Sequence, residues 1–177
     1  MMSVRDGEMS NLAPLFDRHS ARLYNYYVRL TGDRQLSEDL VQDVFLRIMK
    51  YRHTFRGESR FTTWMFSIAR NVQVDNARRW SREQPFSHGN DDAPGSDEPL
   101  SDDTVDYRYD AALLRDALLR LSPEKREALI LSRYQGLRYT EIAAVSGCSV
   151  ESVKVRVHRA IHDLRKIFFE MSGGKTT

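Results

Sequence analysis

The chain of 177 residues has one cysteine, Cys148. No internal disulfide is possible, so the fold must rest on packing. Long hydrophobic runs are also missing. None approaches the roughly 18 apolar residues that would span a bilayer, so membrane insertion is not expected. The first residues, MMSVRDGEMSNLAPLF, carry acids where a secretory signal would carry an apolar core, and a cytoplasmic location is the expectation. There is no glycine-rich phosphate loop, no GxSxG elbow, no Cys/His nucleophile pairing and no HExxH, so neither catalysis nor a cofactor is expected. His158 and His162 stand four apart, a spacing open to a metal, but no cysteine or suitably placed carboxylate accompanies them, and no metal is expected.

Charge is nearly balanced overall but unevenly distributed. Residues 1–82 hold 14 Arg/Lys against 9 Asp/Glu, residues 83–110 hold 1 against 9, and residues 111–177 hold 12 against 7. Two basic blocks thus flank an acidic one. The acidic stretch combines Pro, Gly, Ser and Asp with almost no apolar periodicity, and it reads as a flexible linker. It suits either a solubilising tether or an acidic strand lying in a basic channel meant for nucleic acid.

The segment from Thr140 to Lys166 carries the clearest pattern. Thr140 is placed to cap a helix that buries Ile142, Ala143 and Val145 and stops at Ser146-Gly147, where glycine tolerates a positive φ. Cys148 falls in that turn and reads as a packing residue. Ser149 then caps a second helix whose Val150, Val153, Val157, Ala160, Ile161, Leu164 and Phe168 recur at helical spacing. This is a helix-turn-helix pattern, which aims the start of its second helix at base edges in the major groove. Lys154, Val155, His158 and Arg159 are the candidate base contacts. Arg156 and Lys166 are placed for phosphates.

Three helices are expected before the linker. The first runs from Asn11 to Leu30, and the second is capped by Ser37 with Glu38 and Asp39 in its first turn. The third runs from about Thr62 to Arg82, with Arg70, Asn71, Asp75, Arg78 and Arg79 on its exposed face. Between the second and third lies a polar loop, residues 54–63, of a kind that can hold an unstacked base; Phe61 and Trp64 are weighed toward the core. After the linker, helices are expected over Tyr109 to Leu121 and Glu124 to Tyr134, the latter opened by Ser122-Pro123. No strand is expected. The fold class is all-α, two small helical domains joined by a flexible acidic linker.

Three pieces in this order, LFDRHSARLYNYYVRLTGDRQLSEDLVQDVFLRIMKY, FTTWMFSIARNVQVDNARR and LSPEKREALILSRYQGLRYTEIAAVSGCSVESVKVRVHRAIHDLRK, resemble a bacterial RNA polymerase sigma factor of the extracytoplasmic-function group. The resemblance implies region 2 over residues 1–82, the linker over 83–110, and region 4 over 111–177. It implies that Asp39, Gln42, Asp43 and Leu46 bind core polymerase. Their i, i+3, i+4, i+7 spacing does put them on one helical face. It also assigns the −10 element to Arg56, Gly57, Ser59, Arg60, Thr63, Asn71, Asp75, Arg78 and Arg79, which would hold melted non-template strand. The −35 element falls to Lys154, Val155, Arg156, His158 and Arg159. Glu151-Ser152 replaces the family's usual Gly-Thr pair, and Val155 replaces a common serine, offering a thymine methyl an apolar contact.

The implied partners are core polymerase, promoter DNA (duplex at −35, single-stranded at −10) and an anti-sigma factor. The linker would run near the polymerase's active-site and RNA-exit path. The alternative is a stand-alone helix-turn-helix regulator. A coil of 28 residues spans roughly 30 Å, whereas promoter elements two turns apart need roughly 70 Å. That mismatch favours a scaffold that holds the modules apart.

Overall fold

The computed structural model describes residues 1–83 and 103–173. Among the described residues every regular element is helical: α1 (Met2–Arg5), α2 (Leu12–Thr31), α3 (Arg34–Tyr51), α4 (Phe61–Glu83), α5 (Asp103–Leu119), α6 (Pro123–Leu129), α7 (Tyr139–Ser146) and α8 (Val150–Met171). Residues 84–102 lie outside the described residues, and with them fall the expectations for the linker's conformation and path. None of the described helices is long and apolar enough to cross a membrane.

The helices α2, α3 and α4 form the first module because each turns an apolar stripe inward. Leu23, Tyr26 and Tyr27 of α2, Val44 and Ile48 of α3, and Met65, Phe66 and Ala69 of α4 are all fully buried. The Tyr27 hydroxyl donates to the Ala69 carbonyl at 2.8 Å, so the one polar atom that this ring takes into the core is satisfied. Gly32, at φ 79°, ends α2 in the left-handed cap that a side chain would strain. The second module packs α5, α6 and α7 around α8, whose Val153, Val157 and Ala160 are buried as the periodicity predicts.

Ser37 does not cap α3. Asp33 does so one turn earlier, its Oδ1 accepting the Leu36 N–H at 2.9 Å, while Ser37 is buried inside the helix and donates to the Asp33 carbonyl. Both residue types can cap, and the acid follows the Gly32 stop directly. Glu38 and Asp39 consequently sit in the second turn. Thr140 likewise lies inside α7, which is capped at Arg138, whose N–H donates to Glu141 at 2.7 Å. By contrast Ser149 caps α8 as expected, accepting the Ser152 N–H at 3.1 Å. Helix α5 opens at Asp103, inside the stretch whose composition reads as linker. The helix expected over Glu124 to Tyr134 changes at Ile130 into a π-helical turn, in which the Gln135 N–H reaches the Ile130 carbonyl. The short α1, with Val4 fully buried, has too few residues for a periodic signature and was not anticipated.

Candidate nucleic-acid interface

The recognition helix presents its polar face as the sequence requires. Lys154, Val155, His158 and Arg159 are exposed, and Val155 keeps 48% of its surface in solvent. Gly147, at φ 63°, reverses the chain between α7 and α8, and Cys148 beside it is half-buried. Arg156 is half-buried as well, its Nη1 lying 3.6 Å from the Cys148 Sγ. Farther along α8, His158, Ile161, His162, Arg165 and Lys166 border a shallow groove of about 380 Å³. The helix is braced from behind by Lys125, whose Nζ donates to Asp163 at 2.6 Å. That hydrogen bond, followed by one from His162, holds the Asp163 carboxyl below its usual range.

The first module's candidates divide into open and engaged residues. Arg56, Gly57, Ser59 and Arg60 are exposed in the loop, and Asn71, Asp75, Arg78 and Arg79 along one face of α4. Arg82, not singled out from the sequence, joins Asp75, Arg78 and Arg79 around a groove of about 370 Å³. Asp75 is neutralised there by Arg47 at 2.7 Å. Thr63 is only 6% exposed, beneath α7. Phe61 and Trp64 meet Phe55 edge-on and tilted in an aromatic cluster that holds the loop against the bundle. On α3, Asp39, Gln42 and Leu46 face solvent, Leu46 at 60% exposure, and Asp43 is half-buried.

Sequence reading missed how the second module meets the first. Arg70, expected on the exposed face, is half-buried and pairs with Glu127 of α6 at 3.2 Å. Glu127 also accepts from the Tyr26 hydroxyl at 3.2 Å. Burial, and then the Glu127 charge, push that phenol well above its ordinary range, so it stays a donor. Arg22 donates to the Gln135 side chain at 3.0 Å and to the Gln135 carbonyl, and Arg29 lies over the Tyr134 ring. Glu141 of α7 stands 3.7 Å from Arg60 and accepts from Thr63 at 3.4 Å. Arg126, its charge disfavoured by burial, donates to the carbonyls of Leu118, Leu119 and Leu121 and across the modules to Leu30 at 2.6 Å.

Two family sequence models match the chain, Sigma-70 region 2 over residues 15–83 and Sigma-70 region 4 over residues 111–164. The RNA polymerase sigma factor CarQ of Myxococcus xanthus is 33% identical over 172 residues, 97% of each chain. The chain belongs to the sigma-70 family, in its extracytoplasmic-function group. Another relative of this sigma factor, SigL of Mycobacterium tuberculosis, is 34% identical over 93% of this chain and 92% of its own. Among solved structures, Bartonella quintana RpoE in complex with the anti-sigma factor NepR shares the fold at a TM-score of 0.72, with 27% identity over 88% of this sigma factor and 94% of RpoE. Sigma factors as a class are not enzymes.

Proposed function

We propose that this sigma factor divides its work among three surfaces. As a sigma factor it binds core RNA polymerase and directs promoter-specific initiation. The observation that carries this is a match to another sigma factor over 97% of the chain, spanning both modules. The exposed face of α3, with Asp39, Gln42, Asp43 and Leu46, is the surface offered to core polymerase, since a leucine left 60% exposed beside polar side chains suits a partner better than water. Asn71 reads an extruded base of the −10 non-template strand through its amide, while Arg56, Arg60, Arg78 and Arg79 hold the backbone. Gly57 gives the loop its reversal at φ 78°. Ser59, Thr63 and Asp75 complete that pocket.

At −35, Lys154, Val155, His158 and Arg159 meet base edges in the major groove, and Arg156 meets phosphate. The chain carries out no covalent chemistry and acts in the cytoplasm beside polymerase. The likeness to RpoE, solved with its anti-sigma factor, supports a restraining anti-sigma partner here too. The stand-alone regulator is not favoured.

The test is transcription in vitro: purified protein is added to core polymerase and start sites are mapped. Specific initiation that requires core is the expected result. Promoter-specific binding and regulation without core would overturn it. The surface on α3 is tested separately by Asp43→Arg, which is expected to abolish pull-down of core while leaving −35 duplex binding intact.

A further inference from the structure

Helix α1 has four residues, too few to persist alone, so it is held by what it docks against. Its Val4 is completely buried, yet it lies outside the apolar cluster that runs through the long helices and on which Met1 rests. The chain then doubles back. The Gly7 N–H reaches the Val4 carbonyl at 3.3 Å, the Glu8 N–H reaches the Ser3 carbonyl at 2.9 Å, and Gly7 takes φ 105°. The Glu8 carboxylate accepts from the Asn11 side chain at 2.9 Å, which joins this turn to the start of α2.

The doubled segment lies against the −10 loop. Helix α1 packs on the tight helical turn Arg52–Thr54, and the Met2 sulfur sits 3.4 Å from the point where a side chain on Gly57 would begin. The two ends of the loop have other anchors: the Thr54 hydroxyl donates to the Tyr51 carbonyl at 2.8 Å, and Phe55 meets Phe61 edge-on. The tip has none of that kind. Among the described residues, 56–59 make no hydrogen bond, so the shape of the tip depends on the side chain that lies over it. That side chain is Met2, whose unbranched thioether follows an irregular surface, and the missing Cβ of Gly57 lets it approach.

We propose that α1 is a positioning element for the −10 loop: Val4 anchors it, and Met2 holds the Gly57 tip in the shape that receives the melted strand. The inference rests on the reading of Arg56 and Arg60 as strand-holding residues. A loop already held in its bound shape gives up less freedom when the strand arrives. Undocking α1 therefore weakens capture of the strand, and it leaves the −35 helix and the exposed face of α3 as they were.

The test uses holoenzyme assembled from core polymerase and the full chain, with labelled single-stranded non-template DNA taken from a start site that core-dependent transcription maps. Val4→Asp is expected to weaken strand binding about tenfold, as for a loop that is competent about a tenth of the time, with affinity for core and for −35 duplex unchanged. Amide hydrogen exchange in the free chain should quicken over residues 52–60 while α2, α3 and α4 stay protected. Met2→Ala, at a side chain 43% exposed, leaves the module folded and is expected to act in the same direction by about threefold. Faster exchange with parent-like strand affinity in both variants overturns the positioning role. Unchanged exchange in both overturns the docking. If Val4→Asp also strips protection from α2 to α4, Met2→Ala decides alone, and parent-like strand affinity in it overturns the proposal. Arg60→Ala in the parent chain separates this inference from the reading beneath it. Strand binding that survives Arg60→Ala overturns both, whereas a loss there beside unaffected Val4 and Met2 variants overturns the role of α1 alone.

Discussion

Helices α4 and α8 both turn a basic face outward, yet they stand in different conditions. Among the described residues Lys154, His158 and Arg159 of α8 are exposed and make no ion pair, so that surface is ready for a ligand. The approach to α4 is partly taken: Arg60 and Thr63 by Glu141, Arg70 by Glu127, and Asp75 by Arg47. A surface built by the periodicity of one helix is assembled as soon as the helix folds. One built from a loop and a helix end depends on what is packed against it.

The contrast breaks most completely if α8 loses its inner stripe. Val157 is 1% exposed, and Val157→Asp is expected to cost roughly 4 kcal/mol or more by burying a charge. Thermal melting followed by helicity checks it: a shift of only a degree or two would mean that α8 is not held by that stripe. Arg159→Ala tests the outer face. It is expected to cost about 1–3 kcal/mol at one −35 base pair, if the guanidinium grips guanine bidentately. Transcription that drops equally from every −35 variant would remove Arg159 from the base readers. The cap comes next. Ser149→Ala should lower stability by about 1 kcal/mol, visible as a lower denaturation midpoint, with Asp33→Ala on α3 as its counterpart.

The smallest effect belongs to the first module. His19 is half-buried against Phe61, and its Nδ1 has no hydrogen-bond partner. Burial, and then the charges of Arg22 and Arg18, hold its pKa below the ordinary 6.5. The neutral ring is therefore favoured by folding, and the unfolded chain binds the extra proton first. Its contribution to stability is complete above about pH 6.5 and is lost as the pH falls below that value. Comparing melting temperatures at pH 7.5 and 5.5, His19→Gln should show a shallower acid loss than the parent chain. An identical loss would clear His19 of the effect.

Legibility in the sequence follows the same division. The stripe from Val150 to Phe168, the Gly147 turn and the Ser149 cap were readable because each is a local pattern with a single physical meaning. Capping was misjudged at α3 and α7, where neighbouring polar residues compete and one turn separates the winner from the loser. The π-helical turn at Ile130 carries no compositional mark. The contacts between modules were out of reach for another reason. Arg22 and Gln135, or Arg70 and Glu127, are joined across 113 and 57 positions of chain, and no spacing rule links charges so far apart. Arg70 was consequently read as a free basic residue.

Arg126 gives the corner of the second module a mechanical character. Three of its bonds close the end of α5 and the turn beyond it, and a fourth crosses to the last turn of α2. If the modules part, only the fourth is lost, and the guanidinium remains anchored in its own half. It acts as a pivot pin fixed to one plate and resting on the other. A lysine, with one nitrogen in place of a planar fork, cannot serve all four carbonyls at once.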